Sequence, residues 1–228
     1  MATTAVLWDI DGTLIRSNGV GAASFEQAIQ TVTGSSITSR IPMAGKTDPQ
    51  IAMEWLEALG VAQADELLPK VLAELQVALL QAEAELRRVG HVLPGILELL
   101  KRLDEHEKVL QSTCTGNIKP NAQTKLEAFG LSAFIDLEVG AFGSDHPDRN
   151  RLVPLSIERM RSLRDTEADT VWVIGDTPRD LECARAGGAK CLLVATGGYT
   201  LDQLLPLGAD WVANNLSDAQ SVAELLLS

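Results

Sequence analysis

The chain has 228 residues, 46% of them hydrophobic and 22% charged, with a formal net charge of −12. This length supports one large domain or a core carrying a smaller one, with ample apolar material to bury. The acidic balance argues against nucleic acid or an anionic membrane as partner, and no apolar run is long enough to span a bilayer.

The first element is an apolar run, Val6-Leu7-Trp8, that ends in Asp9-Ile10-Asp11-Gly12-Thr13-Leu14. It reads as a buried strand of a parallel sheet. Ligands of open α/β sheets gather beyond the carboxyl ends of strands, where Asp9 and Asp11 fall. The chain enters this strand without a basic-then-apolar leader. Cys114, Cys183 and Cys191 form neither an even set nor a metal spacing, so reduced thiols and a cytoplasmic address are expected.

Arg16 to Gly21 is polar and glycine-bearing, a candidate hinge. Ala22 to Thr33 has helical spacing and stops at Gly34; Ser35 to Thr47 reads as a polar loop. Asp48 is expected to cap a helix with Pro49 at its first position, ending at Gly60. Ala64 to about Val89 is a helical stretch that Pro69 should bend or split. From Leu93-Pro94-Gly95 onward, helices and strands alternate. Helices are expected over 96–103, 120–129, 152–163 and 216–227, and one more is expected to end at Gly187-Gly188. Strands are expected over 108–113, 135–139, 170–174, 191–194 and 211–212. The alternation predicts a doubly wound parallel sheet made of 1–16 and 91–228, with 17–90 inserted as a smaller helical domain.

Strand ends then converge on one crevice. The first supplies Asp9 and Asp11. The second supplies Thr115, Gly116 and Asn117, whose hydroxyl, amide and backbone N–H groups suit phosphoryl oxygens. Arg149 and Arg151 precede the helix at Leu152, and Asp176 and Asp180 lie one helical turn apart. Carboxyl groups on separate loops make a hard, oxygen-rich site that suits Mg²⁺. Each residue also has a plainer reading: Thr115 as a helix cap, Asp180 as a first-turn acid, and both arginines as surface residues.

Taken together, these segments resemble the haloacid dehalogenase superfamily of phosphohydrolases. Asp9-Ile-Asp-Gly-Thr-Leu matches its first motif, Thr115 its second, and Gly175-Asp176-Thr-Pro-Arg-Asp180 its fourth. Arg151 with Pro154 fits the spacing of the third, with arginine in place of the commoner lysine. The early insert is similar to the C1-type caps of phosphoglycolate phosphatase-like members. The resemblance implies that Asp9 is the nucleophile and Asp11 the general acid and base. It also implies that Mg²⁺ is held by Asp9, the Asp11 carbonyl and Asp176 with support from Asp180, and that Thr115, Gly116, Asn117 and Arg151 hold the phosphoryl group. Lys46 of the insert is a candidate substrate contact, against the plainer reading of a solvated loop lysine. The expected activity is hydrolysis of a small phosphorylated metabolite by a monomer or homodimer, with no nucleic acid or membrane partner. A phosphomutase, a phosphonatase and a non-catalytic binding protein on the same fold are the alternatives.

Overall fold

The computed structural model describes residues 3–37 and 41–228; part of the polar loop expected over 35–47 falls outside the described residues. The chain begins with β1 (Thr4–Trp8) and β2 (Ile15–Arg16) and continues through four helices, α1 (Val20–Thr33), α2 (Asp48–Ala58), α3 (Ala64–Gln81) and α4 (Glu83–Val89). It then runs β3 (His91–Val92), α5 (Ile96–Asp104), β4 (Val109–Thr115), α6 (Lys119–Ala128), β5 (Ala141–Phe142) and α7 (Leu152–Arg164). The remaining elements are β6 (Thr170–Gly175), α8 (Pro178–Ala186), β7 (Lys190–Val194), α9 (Leu201–Leu204), β8 (Trp211–Ala213) and α10 (Ala219–Leu226).

Six strands form a parallel sheet in the order β5-β4-β1-β6-β7-β8. Because β1 is flanked by β4 and β6, its end lies at the point where the chain winds off in both directions, the place where such sheets bind ligands. Side chains of β1 alternate between the two faces. Val6 and Trp8 pack with Leu99, Leu103, Val222 and Leu226 of α5 and α10. Ala5 and Leu7 pack with Leu152, Val153 and Ala184 of α7 and α8. Burial on both faces is what an almost wholly apolar strand requires.

A helical cap, α1 to α4, is inserted between β2 and β3, which pair antiparallel as its two-stranded stalk. Phe25 and Ile29 of α1, Trp55 and Leu56 of α2, and Val71 and Leu75 of α3 build a separate apolar core. Three local expectations change. Thr47, not Asp48, is the N-cap of α2, because Gln50 at the third position completes a capping box with it. Pro69 is exposed and α3 continues through it, so the carbonyl it cannot bond reaches water; the chain breaks at Ala82 instead. No strand forms over 135–139. Asp136 instead donates its N–H to Gln111 O from an irregular segment, and the edge strand is Ala141–Phe142, against Cys114 and Thr115.

Candidate active site

The acidic residues are placed by strand ends. Asp9 follows β1 and still donates its N–H to Ile174 O at 2.9 Å, so the last register bond of the strand fixes its position. Gly12 then adopts φ +85°, and a Cβ there would fall 2.7 Å from Asp176 Oδ2. Glycine therefore serves both the turn and the close approach of a second carboxylate. Asp176 follows β6. Asp180 sits in the first turn of α8, accepting from Thr177 N at 2.9 Å and Thr177 Oγ1 at 2.7 Å. A Cβ on Gly175 would lie 2.1 Å from Asp180 Cγ, so this capping box closes only over a glycine.

Asp9, Asp176 and Asp180 come together, all buried, each offering a carboxylate oxygen within 4.8 Å of the others. Burial raises the Asp9 carboxyl to about 6; Arg149 opposes this, while Asp180 and Asp11 add to it. Burial raises Asp176 further, to about 8, with Asp180 and Asp9 as repelling neighbours. Thr13 Oγ1 donates to Asp176 Oδ1 at 3.3 Å.

The arginine at this cluster is Arg149, which the sequence offered beside Arg151 at the crevice but with a surface position as its plainer reading. Its Nη2 lies 3.3 Å from Asp9 Oδ1 and also donates to Asp180 Oδ1, while its Nη1 donates to Gly45 O at 3.3 Å. Arg151, expected to bind phosphate, is exposed and does not line the crevice. Both arginines belong to one 3₁₀ turn, Arg149–Arg151, in which residues two apart face different directions, so only one can enter.

Asp11 stands apart from the acid cluster. Its Oδ2 accepts from Lys125 Nζ at 2.5 Å and Asn117 Nδ2 at 2.9 Å, and Asn117 Oδ1 accepts from the same ammonium at 2.6 Å. Burial pushes the Asp11 carboxyl up, but the Lys125 charge and hydrogen bonds from Lys125, Asn117 and Ser17 outweigh it, so the net shift is downward. Lys125 was not singled out in the sequence, although a signal was present. It occupies the buried stripe of α6 with Asn121, Ala122 and Leu126, where a lysine needs a partner.

Thr115 is fully buried, its Oγ1 accepting from Asn117 Nδ2 at 2.8 Å. Gly116 meets the cap directly. Its carbonyl accepts from Asp48 N at 2.7 Å, and a Cβ on it would come 2.1 Å from Lys46 O. Thr47 Oγ1 donates to Pro147 O at 2.7 Å, and Asp48 Oδ2 accepts from Ile118 N at 2.8 Å. Burial raises the Asp48 carboxyl to about 7 against the pull of Lys125 and the Ile118 N–H. Lys46 is neither solvated nor an isolated cation, because its side chain is 14% exposed and its ammonium pairs with Glu54. Cap and sheet together enclose a cavity of about 290 Å³ lined by Asp9, Asp11, Lys46, Thr115, Asn117 and Asp176, among others.

The donor set fits Mg²⁺. Three buried carboxylates offer only oxygen, and Arg149 is the one ion-pair partner of Asp9 and Asp180 among the described residues, so a divalent cation would relieve the desolvation and mutual repulsion that raise Asp9 to about 6 and Asp176 to about 8.

Comparison with known proteins agrees with this architecture. The chain is 25% identical over 223 residues to the "Probable phosphatase IndB" of Dickeya dadantii, covering 97% of this chain and 94% of the relative. It is 25% identical over 211 residues to a phosphoglycolate phosphatase of Rhodospirillum rubrum, covering 90% and 84%. Its fold matches the crystal structure of CbbY from Rhodobacter sphaeroides in complex with phosphate, with a TM-score of 0.72, 17% identity and 96% of each chain covered. The family model for haloacid dehalogenase-like hydrolases matches residues 6–194, and the chain belongs to that family.

Proposed function

We propose that this hydrolase is a Mg²⁺-dependent phosphatase that cleaves a small phosphomonoester through an aspartyl-phosphate on Asp9. The observation that carries the reading is the buried set Asp9, Asp176 and Asp180, of which Asp9 and Asp176 line a cavity beside a second, separately held carboxylate, Asp11. Such a division gives one acid to bond formation and another to proton transfer.

Asp9, Asp176 and the Asp11 carbonyl would hold the cation, with Asp180 behind them; when bound, it neutralises charge between the nucleophile and the phosphoryl oxygens. Asp9 attacks phosphorus and the bond to the substrate oxygen breaks. Asp11 gives that oxygen a proton, then takes one from the water that cleaves the aspartyl-phosphate and releases inorganic phosphate. Asp11 rests ionised beside Lys125, and the arriving phosphate anion raises its proton affinity before the first step. Thr115, the backbone of Gly116 and Asn117, and Arg149 hold the phosphoryl group. The helices of 17–90 close over the site through the Thr47–Asp48 contacts and exclude water.

The test is phosphate release from a panel of phosphomonoesters with Mg²⁺, with EDTA and with Ca²⁺. EDTA abolishes turnover and Mg²⁺ restores it, while Ca²⁺, larger and more loosely coordinated, substitutes poorly. Full turnover in metal-free buffer would sink the reading.

A further inference from the structure

Resting on the phosphatase reading, the structure assigns a substrate class: the group carrying the phosphate is a small, uncharged, apolar alcohol, so the substrate is an alkyl or aryl phosphomonoester rather than a carboxylated or doubly phosphorylated one. Two observations converge on it, one from the shape of the wall and one from its charge.

The cap side of the cavity is mostly apolar, with Ser24, Lys46 and Asp48 as its polar members. Phe25 of α1, Ile51 of α2, Leu75 and Leu79 of α3, and Met43 of the preceding loop line it, opposite the acids of the sheet. Three cap helices thus turn aliphatic and aromatic side chains toward the space next to the phosphoryl site. At about 290 Å³ the cavity is at the small end for ligand sites, leaving room for a single ring or a short branched chain once a phosphate is seated.

The charge count excludes a second anion. Among the described lining residues, the cations are Lys46, Lys125 and Arg149, and each already carries a carboxylate. Lys46 is paired with Glu54, Lys125 with Asp11, and Arg149 with Asp9 and Asp180. A carboxylate or second phosphate on the leaving group would enter a space lined by Phe25 and Leu79 together with the acids Asp11 and Asp48. It would be desolvated there without a counter-charge, which is costly. Asp48 in the same wall already has its own carboxyl pushed up to about 7 by burial, so the wall resists the negative charge it contains.

The experiment compares kcat/KM with Mg²⁺ for isobutyl phosphate, phenyl phosphate, phosphoglycolate and pyrophosphate. Isobutyl phosphate and phosphoglycolate are both alkyl esters, so their ratio reports the wall more than intrinsic reactivity. Isobutyl phosphate is expected to exceed phosphoglycolate at least about tenfold, the scale on which one apolar contact discriminates. Leu79→Lys places a cation in the wall and should swing that ratio toward phosphoglycolate through KM. Phe25→Ala, which only shortens the wall, should raise KM for isobutyl phosphate more than for methyl phosphate. Equal or better turnover of phosphoglycolate or pyrophosphate by the wild-type enzyme overturns the apolar substrate class and leaves the phosphatase reading standing. No phosphate release from any ester, with no labelled Asp9, overturns the phosphatase reading itself and this inference with it.

Discussion

Nη2 of Arg149 lies 3.3 Å from Oδ1 of Asp9, with both side chains buried. The same nitrogen donates to Asp180, so one guanidinium spans the proposed nucleophile and the acid behind it. In the proposed reaction it would stand beside a phosphoryl group arriving at Asp9, and its five fixed donors suit that task.

Arg149→Ala should therefore lower kcat/KM by 10² or more, on the order of what a transition-state charge contact supplies. It should also destabilise the fold by ~3–5 kcal/mol, because Asp9 and Asp180 lose a buried partner. Arg149→Lys keeps the charge but not the fork and should fall between. Arg151→Ala should leave both quantities near wild type. Steady-state kinetics and thermal melts of the three variants check this; a kinetic defect confined to Arg151→Ala would reverse the assignment.

That pair also shows where the sequence was informative and where it was not. Asp9 and Asp176 follow apolar strands that could only be buried, so their meeting at the carboxyl edge of one sheet was readable from pattern alone. Choosing between Arg149 and Arg151 was not, because a spacing to Pro154 carries no information about which face of a 3₁₀ turn is inward. Lys125 was legible in principle as a charge on an apolar helical stripe, but its partner Asp11 is distant in sequence. The strand expected at 135–139 failed for another reason. Its β-branched and apolar residues suit a half-buried segment, but at the sheet edge only Ala141–Phe142 pair with β4.

The two carboxylates of the first strand end should fail differently on amidation. Asp9→Asn removes the attacking oxygen and should block phosphoenzyme formation while substrate still binds. Asp11→Asn keeps its backbone carbonyl and should slow both chemical steps. Lys125→Met removes the largest influence lowering the Asp11 carboxyl, so the alkaline limb of the kcat/KM profile, set by loss of the general-acid proton, should move to higher pH. A label trapped on Asp9→Asn, or an unmoved alkaline limb in Lys125→Met, would reassign these roles.

Metal removal should expose the repulsion within the acid cluster. Asp9 is raised from 3.8 to about 6 and Asp176 from 3.8 to about 8, both first by burial. A raised acid favours folding fully below its unfolded value and loses that contribution as pH climbs through the folded one. The metal-free protein should accordingly lose stability between about pH 4 and pH 8. Mg²⁺ should restore it most at the alkaline end, where both carboxylates are available as ligands. At a hundred times its dissociation constant the ion adds about 2.7 kcal/mol, several degrees in Tm for a chain of this size. Melts at pH 5.5 and pH 8 with and without Mg²⁺ test this. An equal increment at both pH values would contradict it.

The cap contact carries its own pH dependence through Asp48. In the closed arrangement this carboxyl accepts from Ile118 N, and burial raises it from 3.8 to about 7. Lys125 and the Ile118 N–H pull it down and Asp11 pushes it up, but desolvation dominates. When the cap lifts away, Asp48 meets water and returns toward its ordinary value. Closure therefore takes up a proton between about pH 4 and pH 7. The docked state is favoured fully below that window, and the advantage is lost as pH rises to about 7, by at most about tenfold per pH unit. Asp48→Asn keeps an oxygen for the Ile118 N–H and removes the titration. The ratio of wild-type to Asp48→Asn KM should thus climb from pH 5 to pH 7 and level off above it. Taking the ratio cancels the titrations of Asp9, Asp11 and Asp176, which both proteins share. A flat ratio would mean that Asp48 stays solvated in the closed enzyme and that the cap is held by the Thr47–Pro147 and Asp48–Gly116 bonds alone.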